Sequence, residues 1–212
     1  MTGGDRRPLA SRDTGWARAL ARRVAAIAIT PNQISIAAMG FAAVAGACFW
    51  ASGAAEGTAR IALLLLAAAG CQARLVCNLI DGMVAVEGGK GGPDGAFWNE
   101  APDRVSDIAI LVGMGLGLGI PALGWAAACL AVLTAYLREQ GRGLGLPADY
   151  SGPMAKPQRM AIATAAAVLS VAEPLWGGQG EVLLFGLWII LIGSAWTCLR
   201  RARRILAELN AR

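Results

Sequence analysis

Asn78 and Asp81 stand three residues apart, and Asn99, Asp103 and Asp107 follow at intervals of four, with Glu100 beside them. Spacings of three and four share one face of a helix, so two stripes of oxygen-bearing side chains are expected within thirty residues, 78–107. Oxygen ligands of this kind suit a hard cation such as Mg²⁺ or Mn²⁺, not zinc. A carboxylate among them could also take a proton from a hydroxyl as general base. The chain has no histidine, and its cysteines (Cys48, Cys71, Cys77, Cys129, Cys198) lie in or beside apolar runs with no metal-type spacing. Carboxylates at a helix end emerging into water would simply be solvated, a reading that weighs most on Glu87, Asp94 and Asp107.

The setting of these groups is unusually apolar. Of 212 residues, 56% are hydrophobic and 16% charged, where soluble domains carry roughly a quarter charged residues. Apolar runs from about Ile34 to Trp50, Ala59 to Val86, Ala96 to Gly119, Pro121 to Arg142, Pro157 to Val171 and Val182 to Cys198 approach or exceed the roughly 17–25 residues that cross a bilayer. The expected fold is therefore all-α, an integral membrane bundle of six transmembrane helices. Pro31 marks the first helix start, with Asn32 or Ser35 able to cap it. The glycine-rich "EGGKGGPDG", residues 87–95, breaks the chain and folds the second and third helices into a hairpin that turns the two stripes toward each other.

Before the bundle, residues 1–27 form a tail in which Trp16, Leu20 and Val24 recur at i, i+4 and i+8, while Arg18, Arg22 and Arg23 fall largely elsewhere. This predicts an amphipathic juxtamembrane helix, with residues 28–212 as one membrane domain. The net charge is +5, and arginines crowd both ends, from Arg6 to Arg23 and from Arg200 to Arg204. Such clusters could bind nucleic acid, but in a chain this apolar the positive-inside bias and anionic headgroups account for them without a nucleic-acid partner. Lys90, Arg138, Arg142, Lys156 and Arg159 follow the even-numbered spans, whereas the other loops offer Arg60, Glu56, Glu173 and Glu181. Both termini and the polar stretch are thus expected on the cytoplasmic side. Arg74, one turn before Asn78 and inside the second span, needs a carboxylate or a lipid phosphate as partner.

The polar stretch resembles the signature of the CDP-alcohol phosphotransferases, DxxDGxxAR followed after a spacer by GxxxDxxxD. Here it stands as Asn78-Leu-Ile-Asp81-Gly82-Met-Val-Ala85-Val86, then Gly95-Ala-Phe-Trp-Asn99-Glu-Ala-Pro-Asp103. "TPNQIS" before the first span and "YLREQGRG" at the end of the fourth also look like that family. The departures are Asn78 and Asn99 at two acidic positions and Val86 at the arginine position.

The resemblance implies a membrane enzyme of phospholipid biosynthesis. It would transfer a phosphatidyl group from a CDP-activated lipid, CDP-diacylglycerol first among them, to an alcohol acceptor, releasing CMP. By position, Asn78, Asp81, Asn99 and Asp103 would hold one or two divalent ions, and Asp103 would also serve as base. Gly82, Ala85 and Gly95 would admit the nucleotide, and Glu100 and Asp107 could restore lost charge. Arg138, Arg142, Lys156 and Arg159 would hold substrate phosphates, and a homodimer is implied. The alternative is a catalytically impaired homologue that binds CDP-lipid or metal and regulates a partner. A transporter is disfavoured because no inverted repeat is visible, and a prenyltransferase because its acidic motifs should lie in separate halves of a longer bundle. "GMGLGLG", residues 113–119, suits close helix packing or a dimer contact.

Overall fold

A computed structural model of the chain describes residues 14, 15, 19, 20, 23, 29–87, 89 and 92–212, without the side chains of residues 86 and 87. Each expected apolar run becomes one helix: α1 (Pro31–Ser52), α2 (Gly57–Glu87), α3 (Gly95–Gly117), α4 (Pro121–Gly143), α5 (Lys156–Ser170) and α6 (Glu181–Asn210). The basic run after Cys198 continues α6 without a break. Most of the expected juxtamembrane helix lies outside the described residues. Gly15, Ala19, Leu20 and Arg23 are helical, and Leu20 packs with Ile29 against Ile34, Ile80 and Val84.

Thr30, and neither Asn32 nor Ser35, caps α1. Its hydroxyl accepts from the Gln33 amide at 3.2 Å, and the Gln33 side chain accepts from the Thr30 amide at 3.0 Å, so two unsatisfied donors are met reciprocally. Ser35 turns inward instead, as described below.

Among the described residues four helices, α1, α2, α4 and α6, are long and apolar enough to cross a membrane. The other two fall short of the expectation by length or composition. The first half of α3 carries the polar stripe, and α5 has 15 residues, about 22 Å of helix against a hydrocarbon core of about 30 Å.

Helix α1 packs against α2 and α3, α2 against α5, α5 against α6, α6 against α4, and α4 against α3. The six helices thus close a ring. Its interior is lined by small residues such as Ala42, Ala45, Ala67, Ala127, Ala131, Ala163 and Ala167, with Phe49, Leu64, Leu111, Met160 and Leu187 among the larger ones. The outer surface carries Val44, Leu66, Trp125, Phe185, Trp188 and Ile192. Bulky apolar groups outside and small ones between helices are what lipid as solvent favours, because close backbone approach replaces the hydrophobic drive.

The glycines of α3 serve that approach. A Cβ on Gly113 would land on the backbone of Gly46 in α1, one on Gly117 on Phe49, and one on Gly115 on Gly124 in α4. Gly113, Gly115 and Gly117 of the small-residue stripe 113–119 therefore pack against α1 and α4, whereas Leu116 and Gly119 are exposed. At the end of the ring away from the polar stripe, Arg60 of α2 meets the buried Glu173 at 2.6 Å, and Glu173 accepts from the Val182 amide at 2.8 Å. That contact ties the start of α2 to the turn between α5 and α6.

Gly113→Leu is expected to force α1 from α3 and to cost about 3 kcal/mol, read as a lower unfolding temperature in detergent. Gly40→Ala, where a Cβ would meet nothing, should leave stability unchanged or raise it by up to about 1 kcal/mol.

Candidate functional site

Inside the ring a chain of polar contacts passes through all six helices. It begins on α1, where the Ser35 hydroxyl donates to Asp81 Oδ2 of α2 at 2.9 Å. The Gly82 amide lies beside the Asp81 carboxylate, but Asp81 Oδ1 is buried without an aligned donor. One turn earlier on α2, the Asn78 amide nitrogen donates to Asp103 Oδ1 of α3 at 2.7 Å. One turn earlier again, Arg74 donates to the Asp103 carbonyl at 3.1 Å and lies 2.9 Å from Asp107 Oδ1.

Asp107 has no exposed surface, and its other oxygen accepts from Arg159 Nη2 of α5 at 2.6 Å. Arg159 also donates to Thr134 Oγ1 of α4 at 3.3 Å and to the Met154 carbonyl at 3.0 Å. Arg201 of α6 completes the chain by donating to the Thr134 carbonyl and, at 3.1 Å, to that of Ser151. The spacings that bring these groups together are helical ones. Arg74, Asn78 and Asp81 lie on one face of α2, and Asp103 and Asp107 on one face of α3.

Asp103 stands where this buried chain meets a more open region. Its Oδ1 takes the Asn78 amide and, at 3.4 Å, Arg74. Its Oδ2 is 2.5 Å from the Lys156 ammonium and 3.6 Å from Arg104. Beyond it, Glu100 pairs with Arg138 and, at 3.6 Å, with Arg104. Arg138 also holds Glu139 at 2.9 Å and lies over the Tyr150 ring at 5.4 Å. Arg142 meets Glu139 at 3.1 Å.

The four motif positions are thus not equally gathered. Asn78 and Asp103 touch, Asp81 lies one turn further along α2, and Asn99 is exposed with no hydrogen bond to the other three. Gly82 and Ala85 are half-buried on α2, and a Cβ on Gly95 would meet open space. Of the basic residues, Lys156 faces Asp103, Arg138 and Arg142 lie among the outer carboxylates, and Arg159 is turned into the buried chain. Asp107, considered as a compensating acid, is held between two arginines. Lys90 lies outside the described residues, and so does the side chain of Glu87.

Toward a hard divalent cation the donors are a partial fit. Asp81 offers a buried oxygen without an aligned donor, next to an asparagine one turn away. Both Asp103 oxygens, by contrast, already face cations of the chain itself. Among the described residues no three His, Cys, Asp or Glu groups form a cluster able to hold a metal.

Ser35, Arg104, Thr134 and Arg201 have roles that the spacing of the motif does not suggest. A signal exists only for Arg201. Ser194, Thr197 and Arg201 recur at three and four residues on α6 and are all buried, a polar stripe running through an apolar helix.

No family model matches the chain. In sequence it is 32% identical over 145 residues to the phosphatidylinositol phosphate synthase of Streptomyces avermitilis, covering 63% of this chain and 59% of that protein. It is 28% identical over 140 residues to the phosphatidylinositol phosphate synthase of Mycobacteroides abscessus, covering 60% and 59%. The chain thus spans less than two thirds of the length of these curated relatives.

In fold it matches the phosphatidylinositol phosphate synthase of Mycobacterium tuberculosis. For the crystal structure with CDP-DAG bound, the TM-score is 0.73 at 19% identity over 89% of this chain and 92% of that one. For the complex with manganese and citrate it is 0.73 at 19%, over 90% and 88%. The six-helix ring is therefore the fold of that synthase, and in sequence the chain is similar to two phosphatidylinositol phosphate synthases.

Arg159→Met strips Asp107 of one partner in the buried chain and is expected to cost about 3–5 kcal/mol. Arg204→Met, on a half-exposed pair with Glu208, should cost no more than about 1 kcal/mol. Denaturant titration of the two variants in the same detergent separates the cases.

Proposed function

We propose that this protein transfers a phosphatidyl group from CDP-diacylglycerol to the hydroxyl of an alcohol acceptor and releases CMP. The observation that carries the reading is the 2.7 Å bond between motif positions 78 and 103, made across the α2–α3 hairpin in a fold shared with a CDP-DAG-bound synthase. The names of the sequence relatives make an inositol phosphate the first acceptor to try.

In this reading Asp103 is the base. Asn78 and Arg74 hold its Oδ1 and leave Oδ2 toward Lys156 and the more open region. An acceptor hydroxyl arriving there donates to Oδ2 and gives up its proton as its oxygen attacks the phosphorus. Lys156 and Arg104 stand 2.5 and 3.6 Å from Oδ2 and hold it in place. Arg138 and Arg142, near the mouth of the site, attract the anionic groups of donor and acceptor.

A divalent cation, held by Asp81 and Asn78, would stabilise charge on the pyrophosphate and on departing CMP. Ser35 fixes the Asp81 carboxylate in place for that role. Gly82, Ala85 and Gly95 leave room for the nucleotide along the hairpin. Asn99, Glu100 and Asp107 are the remaining polar groups of this reading, with Asp107 acting through Arg74 and Arg159.

Six membrane crossings, with both termini and the site on the cytoplasmic side, belong to the same proposal. The arginines at both chain ends and beyond α4 support that sidedness. So does the pairing of a lipid donor with a water-soluble acceptor. A homodimer is part of the proposal on the family resemblance, and native mass spectrometry from nanodiscs would count the copies.

One observation favours a second reading, that of a homologue which binds CDP-lipid without turning it over: Asp103 Oδ2 is already 2.5 Å from an ammonium. CMP release by purified protein given CDP-diacylglycerol, Mn²⁺ and inositol phosphate decides between them. Acceptor-dependent release is expected, and Asp103→Asn should lower it at least about 100-fold, the usual worth of a general base. Retention of CDP-lipid with no release from any acceptor would favour the binding protein.

A further inference from the structure

The carboxylates around Asp103 are matched by cations of the chain before any ion is added. Asp103 and Asp107 face Arg74, Arg104, Lys156 and Arg159, and Glu100 faces Arg104 and Arg138. Glu139 is shared by Arg138 and Arg142, and the buried Arg201 adds a further positive charge while bonded to carbonyls. A half-buried site tolerates charge only when it is closely compensated. One divalent ion would be offset by the two charges of a CDP-linked pyrophosphate. A second would need two further negative charges, which the site lacks. Asn78 and Asn99 stand where two more carboxylates would supply that missing charge.

The donors point the same way. Asp81 has a buried oxygen without an aligned donor, which is what a cation ligand in reserve offers. Asp103 has none to offer, because Lys156 and Arg104 face its Oδ2 while Asn78 and Arg74 face its Oδ1.

We infer that the Lys156 ammonium is the resident cation of Asp103, standing in the place of a second divalent ion, and that the site holds a single Mg²⁺ or Mn²⁺ on Asp81. The inference rests on the CDP-lipid reading above and fixes its ion count. It also makes Lys156 a positioning residue for the base. An ammonium offers a fixed point charge with no coordination shell to be filled, so Asp103 keeps its orientation whether or not the divalent ion is present.

The full chain in nanodiscs containing CDP-diacylglycerol would be titrated with Mn²⁺, and the free ion counted by its paramagnetic resonance signal. One Mn²⁺ per chain is expected, falling to none in Asp81→Asn at the same concentration and rising to two in Lys156→Gln. Two ions on the unsubstituted protein, none, or one that survives Asp81→Asn would each overturn the inference.

Should Lys156→Gln not fold, amine acylation of the unsubstituted chain read by mass spectrometry serves instead. Lys90 is the chain's other lysine and provides the internal reference. Saturating Mn²⁺ should leave the Lys156-to-Lys90 labelling ratio unchanged, and a several-fold rise would mean that the ion displaces Lys156 from Asp103. Retention of CDP-diacylglycerol is measured in the same nanodiscs. Loss of the lipid with one ion still bound would sink the substrate assignment and leave the ion count standing. Two ions with lipid retained would do the reverse.

Discussion

Asp107 is fully buried in an apolar ring, and an ion there is tolerable only between opposite charges. Arg74 and Arg159 supply them from two other helices. Removing a carboxylate from water costs several kcal/mol even after relaxation, and two arginines cannot be brought in without partners of their own. Arg74 therefore also engages Asp103, and Arg159 engages Thr134 and the Met154 carbonyl. The demand to satisfy one buried charge spreads until it has fixed the register of α2, α3, α4 and α5. The small residues that line the ring make this possible, since only close helices can bring such groups within hydrogen-bond distance.

The same demand separates two aspartates that the sequence presents as equivalent. Asp103 and Asp107 lie one turn apart on the same face of α3. Asp107 sits deeper, and both its oxygens face guanidinium groups that reach no water. Asp103 lies nearer the mouth, where one oxygen faces a lysine whose side chain is partly exposed. Depth along a single helix thus divides an acid enclosed by two arginines from the one proposed as the base.

The helices, the hairpin and the pairing of the two stripes were legible because they depend on local periodicity. Pro31, the glycines of 87–95 and the apolar runs each act within a few residues. Arg74 was legible for another reason, since a charge that far inside an apolar span requires a partner. What could not be read depends on which face of one helix meets which face of another. Ser35 is one polar residue near a helix start, and only the packing of α1 against α2 makes it the partner of Asp81. Asn99 keeps the motif spacing yet lies exposed, one turn before the level at which Pro102 and Asp103 become buried. Among the arginines near the end of α6, only the side on which Ser194 and Thr197 lie picks out Arg201.

The order of the chain gives the buried pairing a consequence for biogenesis. The carboxylates of Asp81, Asp103 and Asp107 are synthesised with α2 and α3, together with Arg74 and Arg104, whereas Lys156 and Arg159 arrive only with α5. Until then the first three helices carry more acid than base in a segment destined for the bilayer, and α3 is poorly suited to enter lipid alone. The order of synthesis thus leaves the α2–α3 hairpin without Lys156 and Arg159, its partners on α5, until some fifty further residues have been made.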